Sequence, residues 1–364
     1  MRTISTALLA GTSFFSDPTF WSTFRPSRFG PAVLPFAVAL VCTAIVVLPA
    51  RWLAFRLGAV AEPGERRIHS RPTARLGGLA LYLGFGLSAA LFSTNPLTLG
   101  LLLSAAVITT LMVFDDVGGM RATVKLVFQI AASLLAISLG VYIHSINLPG
   151  NHFVNLALAV SVPLTLLWFV GLQNTINLID GVDGLAAGVV AIVAATLMLA
   201  AINRGQTDIV ILSGALIGAC VGFLLYNWHP ARVFMGDSGS NFLGFALAAL
   251  SVLSVAKGAV VVALLVPILA LAIPIFDTGW AILRRRLRGR GIATADTGHL
   301  HHRLLDFGLS PRETALVFYF GTAIFAALGL AIYGHKKVLL GAIILMLFGI
   351  LIIMLRRFHR ISRG

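Results

Sequence analysis

The stretch NTINLIDGVDGLAAG, Asn174 to Gly188, lies between two long apolar runs and carries two asparagines and two aspartates where a membrane-spanning chain is otherwise apolar. The whole 364-residue chain is 58% hydrophobic and only 11% charged, with a mean hydropathy of +0.96. A chain of this composition cannot present an ordinary soluble surface. The sequence therefore predicts a polytopic membrane protein in which this polar stretch marks a site.

Apolar runs long enough to cross a bilayer as helices recur along the chain. Such runs exclude a closed barrel, the other architecture that satisfies all backbone groups in lipid, and predict an all-α fold. Residues 1–30 are expected to be a tail, 31–355 a single transmembrane domain and 356–364 a basic C-terminal tail. We expect about eleven spans, with ten as the alternative, near 31–54, 78–94, 98–114, 122–144, 152–172, 184–203, 208–226, 239–255, 258–282, 314–333 and 337–355.

Basic residues predict the orientation, because Lys and Arg concentrate in the cytoplasmic loops of membrane proteins. Here they gather on one side of the expected spans, which includes the C-terminal tail. We therefore expect the N-terminus outside and the C-terminus in the cytoplasm. The loops on the cytoplasmic side would be 55–77, 115–121, 173–183, 227–238 and 283–313.

Most acidic residues fall on this same side, although the positive-inside rule makes no demand on Asp and Glu. Five lie in short, otherwise apolar loops or at helix ends: Asp115, Asp116, Asp180, Asp183 and Asp237. An ionisable group near the centre of a span costs about 2.5–3.5 kcal/mol and is usually functional. A single such residue at a helix end could be a solvated cap, but five together indicate a site.

Several carboxylates that face a common region repel one another unless a cation or protons neutralise them. Carboxylate and amide oxygens, without Cys or His at metal-binding spacing, favour Mg²⁺ over zinc, with Mn²⁺ as the alternative. The sequence DGVDG lacks the alternating ligands of a calcium-binding loop. Because hard divalent cations usually accompany phosphates, we expect a phosphate-bearing substrate.

Spacing within the acidic motifs predicts their relative directions. Asp115 and Asp116 are adjacent, about 100° apart on a helix, so they are expected to have different roles. Residues three positions apart share a helix face, and four polar residues repeat at this spacing. They would form one stripe of amides and carboxylates: Asn174, Asn177, Asp180 and Asp183.

Groups suited to binding phosphate accompany these acids. Asp237 stands at a predicted helix start beside Gly236, Gly239 and Ser240, which indicates either an anion site at backbone N–H groups or a plain helix cap. Arginines lie in the first loop and in RRRLRGRG (284–291), although the latter alone could be a membrane anchor. The histidines of HLHHRL (299–304) indicate phosphate contact or proton transfer, with zinc as the less favoured alternative.

Five motifs in order resemble the polyprenyl-phosphate N-acetylhexosamine-1-phosphate transferase family, which includes phospho-MurNAc-pentapeptide translocase. They are FDDVGGM, NTINLIDGVDGLAAG, VFMGDSGSNFLG, PIFDT and ADTGHLHHRLLDFGLS. The resemblance implies transfer of a sugar 1-phosphate from a UDP-N-acetylhexosamine to a polyprenyl phosphate, usually undecaprenyl phosphate, with release of UMP. It also implies a bacterial plasma membrane location, an active site on the cytoplasmic face and a role in cell-envelope glycan synthesis.

The resemblance also implies catalytic roles. Asp237 corresponds to the principal Mg²⁺ ligand, and Asp115 and Asp116 to an aspartate pair assigned either to the metal or to deprotonating the lipid phosphate. A phosphate monoester has its second pKa near 6, so it needs little help from a base at neutral pH. We therefore favour direct attack by the lipid phosphate, with a covalent aspartyl-phosphate as the alternative.

Substrate contacts follow from the same resemblance. The stripe that begins at Asn174 corresponds to the nucleotide-sugar pocket, with Asp183 and Phe234 as candidates for contact with uracil. The histidine motif matches the hexosamine branch of the family, which favours a UDP-GlcNAc-like donor over UDP-MurNAc-pentapeptide. Asp277 either lines the site or pairs with an arginine. The remaining expected contributors are His301 in catalysis, and Arg75, His299, His302 and Arg303 in substrate binding.

The chief competing class is a secondary transporter, which also uses intramembrane acids and broken helices. Transporters bind substrate near the bilayer midplane between repeated halves. Here the acids lie at one face and no repeat is evident, so an enzyme is favoured. We expect no nucleic-acid partner, and the sequence leaves a homodimer open. The first loop departs from the family's pattern, because Ala74 stands where relatives often have proline.

Overall fold

The computed structural model describes residues 26–62, 72–148, 152–202, 204–255, 271–272, 276, 300–332, 338–339, 341–347 and 349. Its helices are α1 (Pro26–Leu57), α2 (Gly77–Phe92), α3 (Leu97–Gly118), α4 (Ala122–Ser138), α5 (Leu158–Ile179), α6 (Leu185–Ile202), α7 (Thr207–Asn227), α8 (Gly236–Val255), α9 (Leu300–Asp306) and α10 (Pro311–Ile332). Two antiparallel strand pairs join β1 (Val60–Ala61) to β2 (Thr73–Ala74) and β3 (Ser145–Leu148) to β4 (His152–Asn155).

Within the described residues, six helices are long and apolar enough to cross a membrane: α1 (from Ser27), α3, α5, α6, α7 and α10 (to Ala331). The helices α2 and α4 are apolar but shorter. These helices bear out the prediction of a polytopic membrane protein. The expected span at 258–282 is described only at 271, 272 and 276, and the one at 337–355 only at 338–339, 341–347 and 349. The C-terminal tail lies outside the described residues.

Some predicted boundaries are corrected by the structure. The span expected at 122–144 ends as a helix at Ser138 and leads into β3, and the span expected at 152–172 begins with β4. Its helix, α5, continues to Ile179, so Asn174 and Asn177 are helical rather than part of a loop. The helix extends beyond its apolar segment because the side-chain amides of Asn174 and Asn177 form hydrogen bonds with neighbouring helices and with the backbone of α5 itself.

The helix α8 forms the centre of the bundle. It packs against α2, α3, α5, α6 and α7 and is buried from Ser238 to Ser254. Its hydroxyl and amide groups are paired inside the protein, for example where the indole Nε1 of Trp168 donates to Oγ of Ser251 at 2.7 Å. A helix surrounded in this way can carry polar residues that lipid would not tolerate.

A row of glycines lets α1 approach α7 closely. Gly214, Gly218 and Gly222 are spaced four apart, and a Cβ at each would lie 2.2–2.8 Å from the nearest atom of α1. This spacing is the small-residue pattern that brings membrane helices together. The pair α1 and α7 therefore forms one wall beside the central helix.

The start of α10 is stabilised by a reciprocal cap. Oε2 of Glu313 accepts hydrogen bonds at 2.8 Å from both the backbone N–H and the hydroxyl of Ser310, while the N–H of Glu313 donates back to Oγ of Ser310 at 3.3 Å. This is the capping-box arrangement of a Ser followed three residues later by Glu. It orders α10 where the helix meets the site end of the bundle.

Candidate active site

The predicted acids meet at one end of the helical bundle. There α3, α5 and α7 end, while α4, α6 and α8 begin. Direct contacts between these helix ends place residues far apart in sequence beside one another. The site is therefore built from helix termini and short connections, as expected from the positions of the acids.

The segment before α8 is anchored by backbone hydrogen bonds to the segment around Ala74. Val233 pairs in parallel with Ala74, and the N–H of Phe234 donates to the carbonyl of Ala74 at 2.7 Å. The N–H groups of Gly77 and Gly78 then donate to the carbonyls of Phe234 and Met235 at 3.0 and 2.9 Å. The stretch from Ala74 to Gly78 and the motif VFMGDSGS thus form one unit through their main chains.

Gly236 is required where this segment turns into α8. Its φ of +69° lies in the left-handed region, and a Cβ there would lie 2.1 Å from the carbonyl oxygen of Arg75 and 2.4 Å from Oδ1 of Asp116. Glycine is the residue that meets both constraints without strain. The close approach brings the end of α3 directly onto the start of α8.

The carboxylate of Asp116 caps α8 from another helix. Oδ1 accepts the N–H of Asp237 at 2.7 Å and Oδ2 accepts the N–H of Ser238 at 3.0 Å. These N–H groups have no partner within their own helix, and the helix dipole favours a negative charge at this position. Asp116 is buried, and both of its carboxylate oxygens bind the start of α8.

Asp115 faces a cation instead. Oδ2 of Asp115 lies 2.5 Å from Nζ of Lys125 on α4, and the same ammonium contacts Oδ2 of Asp237. Among the described residues, Oδ1 of Asp115 is buried and has no hydrogen-bond partner. The adjacent aspartates therefore have different contacts: Asp116 binds backbone, and Asp115 joins Asp237 around one positive charge.

The second residue of the polar stripe, Asn177, contacts the acidic cluster directly. Nδ2 of Asn177 donates to Oδ1 of Asp237 at 2.9 Å and to Oγ of Ser240 at 2.8 Å. Asn174, one turn earlier, donates to Oε1 of Gln129 on α4 at 2.8 Å. The two asparagines of the stripe therefore lie on α5 and contact α4 and α8.

Asp180 caps the end of α5 at the edge of this cluster. Burial and the negative charges of Asp237 and Asp116 raise the pKa of Asp180 well above its usual value, with Arg75 acting in the opposite direction. A carboxyl in such surroundings favours its protonated form unless a cation balances the charge. Asp180 and Arg75 thus belong electrostatically to the same site.

Asp183 lies next to the acidic cluster in sequence but has different partners. Its Oδ2 lies 2.7 Å from Nδ1 of His229 and accepts the N–H of Ala231 at 3.0 Å. Asn227 strengthens this junction, since its Oδ1 accepts the N–H of Gly184 and its Nδ2 donates to the carbonyl of Val233, both at 2.9 Å. The connection after α5 is thereby tied to the segment that precedes α8.

The helix α10 reaches this junction. Nε and Nη2 of Arg312 donate to the carbonyl of His229 at 2.9 and 2.6 Å, and the hydroxyl of Tyr319 donates to the carbonyl of Gly184 at 2.5 Å. Each contact holds main chain close to Asp183. The position of Asp183 therefore depends on α10 as well as on its own loop.

The cluster contains carboxylate oxygens, the chemical type of ligand that hard divalent cations prefer. Within the described ranges, no group of three or more His, Cys, Asp or Glu side chains is arranged to hold a metal ion. Asp115 and Asp237 nevertheless converge on one cationic group, and the buried Oδ1 of Asp115 has no hydrogen-bond partner there. Carboxylates are the ligands that Mg²⁺ uses.

Several predicted contributors fall elsewhere. His299 and Asp277 lie outside the described residues, and so do the side chains of His301 and His302, whose backbones belong to α9. Arg303 is exposed on α9. Phe234 is partly buried in the anchored segment before α8. Their contact with the acidic cluster stays a prediction.

Three important residues were not singled out from the sequence. Lys125 lies near the start of α4, where a lysine inside an otherwise apolar span was an available signal. Asn227 and His229 stand beside the motif VFMGDSGS but carry no spacing pattern of their own. Their partners, at Gly184 and Asp183, are more than forty residues earlier in the chain, so only the fold brings them together.

Comparison with known proteins adds independent information. Residues 98–255 match the family model described as glycosyl transferase family 4. A probable undecaprenyl-phosphate N-acetylglucosaminyl 1-phosphate transferase of Bacillus subtilis is 38% identical over 292 residues, which cover 79% of this chain and 81% of the relative.

Two further relatives extend the range of similarity. A decaprenyl-phosphate N-acetylglucosaminephosphotransferase of Mycobacterium tuberculosis is 38% identical over 357 residues, covering 88% of each chain. A phospho-N-acetylmuramoyl-pentapeptide-transferase of Caldicellulosiruptor bescii is 32% identical over 327 residues, covering 84% of this chain and 97% of the relative. The range that the family model matches, 98–255, includes α4, α5 and α8 and all but the first residue of α3.

Proposed function

This chain belongs to glycosyl transferase family 4, and we propose that it transfers N-acetylglucosamine 1-phosphate from UDP-N-acetylglucosamine to a polyprenyl phosphate, releasing UMP. Family membership confirms the resemblance drawn from the motifs and supports an enzyme over a transporter. The structural observation that carries the proposal is the convergence of Asp115, Lys125 and Asp237 at one end of a membrane-embedded bundle. Two carboxylates beside an ammonium offer a divalent cation its oxygen ligands and keep a positive charge nearby, and phosphoryl transfer uses both.

The identity of the donor sugar rests on the relatives. Two relatives at 38% identity are named for N-acetylglucosamine, whereas the relative named for N-acetylmuramoyl-pentapeptide is 32% identical. The histidine motif at 299–304 supports the same choice. UDP-MurNAc-pentapeptide is the alternative donor, and undecaprenyl phosphate is the expected acceptor in a bacterial membrane.

We assign the chemistry to a single displacement. A phosphate oxygen of the lipid attacks the sugar-bearing phosphorus, a new P–O bond forms, and the bond from that phosphorus to the UMP oxygen breaks. The lipid phosphate is largely ionised at neutral pH, so a base contributes little. Asp115 orients the attacking phosphate through Lys125, whose positive charge offsets the negative charge that gathers during transfer.

Mg²⁺, bound by Asp237 and Asp115, would supply further positive charge to the diphosphate. We assign Asp116 to holding α8 rather than to the metal, since both of its oxygens accept backbone N–H groups. Asn177 orients Asp237, while Asp183 and Phe234 are assigned to the uracil of the donor. His301 is assigned to the reaction, and Arg75, His299, His302 and Arg303 to the phosphates.

The active site would open to the cytoplasm, where UDP-sugars are made, and the lipid acceptor would reach it from the plasma membrane. This arrangement agrees with the excess of basic residues on the expected cytoplasmic side. The product would be a lipid-linked sugar that primes a cell-envelope glycan.

The direct test is UMP release by the purified full-length protein in detergent, with undecaprenyl phosphate and Mg²⁺. UDP-GlcNAc, UDP-GalNAc and UDP-MurNAc-pentapeptide are compared, and each is repeated without lipid and with excess EDTA. We expect UMP with UDP-GlcNAc only when lipid phosphate and Mg²⁺ are both present. No UMP with any donor, from protein shown to be folded, would contradict the proposed reaction.

A further inference from the structure

We infer that three amide side chains, those of Gln129, Asn174 and Asn241, form a layer that sets the relative positions of the helices carrying the proposed active site. Gln129 lies on α4, Asn174 on α5 and Asn241 on α8. This inference rests on the proposed function, because the residues that the amide layer positions are those assigned to the transfer reaction.

Hydrogen bonds join the three amides into a continuous chain. Nδ2 of Asn174 donates to Oε1 of Gln129 at 2.8 Å, and Nε2 of Gln129 donates to Oδ1 of Asn241 at 2.7 Å. Nδ2 of Asn241 then donates to the carbonyl of Asp237 at 2.8 Å. Gln129 therefore bridges α5 and α8 with both ends of its amide, and the chain ends on the backbone of a site residue.

Each amide lies one helical turn from a side chain of the acidic cluster. Gln129 follows Lys125 by four residues, and Asn241 follows Asp237 by four. Asn174 precedes Asn177 by three residues on α5, which runs in the opposite direction. Since residues three or four apart share a helix face, the amide layer lies directly beneath the site on all three helices.

Burial makes this layer sensitive to helix position. Gln129 is 3% exposed and Asn241 is 1% exposed, so neither amide can exchange its partner for water. A shift of α4 along α8 would leave buried donors and acceptors unpaired, which is unfavourable in a membrane protein. The layer therefore favours one relative position of Lys125 and Asp237, and displacement of such groups by about 1 Å can cost about a hundredfold in rate.

A second buried glutamine provides a matched control. Gln173 on α5 is fully buried, and its Nε2 donates to the carbonyl of Phe169 at 3.1 Å and to Oγ of Ser133 at 3.5 Å. Neither partner belongs to the amide layer. Replacing Gln173 by Met removes a buried amide from the same region without breaking the bonds between Gln129, Asn174 and Asn241.

The experiment measures kcat and the KM of both substrates for the purified full-length enzyme, using UMP release with UDP-GlcNAc, undecaprenyl phosphate and Mg²⁺. Gln129→Met and Asn241→Leu are each expected to lower kcat about ten- to a hundredfold with little change in either KM, because they misplace groups without removing a substrate contact. Gln173→Met should keep kcat near that of the wild type. The double variant of Gln129 and Asn241 should have a kcat no lower than that of the slower single variant, because both changes remove the same hydrogen bond between these side chains.

Three results would overturn the inference: an unchanged kcat in Gln129→Met, an equal fall in Gln173→Met, or a raised donor KM at constant kcat, which would place Gln129 in donor binding. If Gln129→Met does not fold, Gln129→Asn, which keeps an amide too short to reach both neighbours, takes its place with the same expected fall. Wild-type protein that turns over no donor contradicts the proposed function. Active wild type with unaffected variants contradicts the amide layer alone.

Discussion

The end of α3 and the connection after α5 each carry two aspartates, and the two pairs divide in a similar way. At α3, Asp116 accepts two N–H groups at the start of α8 while Asp115 faces Lys125. After α5, Asp183 accepts the N–H of Ala231, while Asp180 lies among the charges of the site. In each pair, one carboxylate holds the segment 227–238 and the other faces the acidic cluster.

The two regions differ in what surrounds the holding carboxylate. Asp116, which lies on α3, is bonded to backbone N–H groups of one helix terminus, that of α8. Asp183 also contacts His229, whose carbonyl is held by Arg312 of α10. The first region is therefore suited to a fixed catalytic centre, and the second to a binding surface that depends on several elements. The following predictions test this contrast.

The largest effect is expected at Asp237, where the two regions meet. Asp237→Asn should lower kcat about a thousandfold, because the variant loses the charge that faces Lys125 and the proposed metal. UMP release and membrane insertion are measured together. Asp208→Asn is the matched control, since Asp208 lies at the far end of α7 and bonds to Thr94. Near-normal activity of Asp237→Asn would remove Asp237 from the centre.

The second prediction separates Asp115 from Asp116. Asp115→Asn should lower kcat about a hundredfold with little change in thermal stability. Asp116→Asn should lower the free energy of unfolding by about 1–3 kcal/mol, because an amide offers one acceptor oxygen to two buried N–H groups. Thermal unfolding and UMP release are measured on both variants. Equal losses of stability would contradict the division of roles within this pair.

A smaller effect is expected in the second region. Asp183→Asn should raise the KM for the UDP-sugar about tenfold and leave the KM for the lipid near its wild-type value, because Asp183 is assigned to the uracil. His229→Ala should act in the same direction by displacing Asp183. A raised KM for the lipid with unchanged donor binding would contradict this assignment.

The smallest effect concerns Asp180 and the pH dependence of stability. The folded-state pKa of Asp180 is raised above its usual value. Its contribution to the free energy of unfolding is therefore most favourable at low pH and is lost as the pH rises through the folded-state pKa. Asp180→Asn should therefore gain stability relative to the wild type as the pH rises from about 5 to about 8, in the absence of divalent cations. Thermal unfolding across this pH range measures the difference. A constant difference would show that Asp180 keeps its usual pKa.

Much of the site could be predicted from the sequence because ionisable residues are rare in apolar chains. The acids at 115, 116, 180, 183 and 237 stood out for this reason, and Asn177 followed from its spacing. Lys125 carried the same kind of signal within a predicted span but was not singled out. The histidine motif at 299–304 is a prediction whose contacts lie outside the described side chains.

Other features could not be predicted because they depend on contacts between distant segments. Asn227 and His229 have ordinary local sequences, and their importance comes from bonds to Gly184 and Asp183. The pairing of β3 with β4 was not predicted, because β4 lies at the start of an apolar run, 152–172, that was expected to be a membrane span. Gln129 and Asn241 resemble isolated polar residues in apolar helices until the helices pack together.

Composition and apolar periodicity by themselves determined that this protein is a helical membrane protein, because lipid permits few other solutions for so apolar a chain. The ordered acidic motifs by themselves indicated a transferase of lipid phosphates. Only the tertiary structure decided which carboxylate caps α8, which faces Lys125, and which amides join the helices beneath them. Those roles depend on distances of a few ångströms between residues more than a hundred positions apart, such as Asp116 and Asp237, and spacing along a chain does not encode such distances.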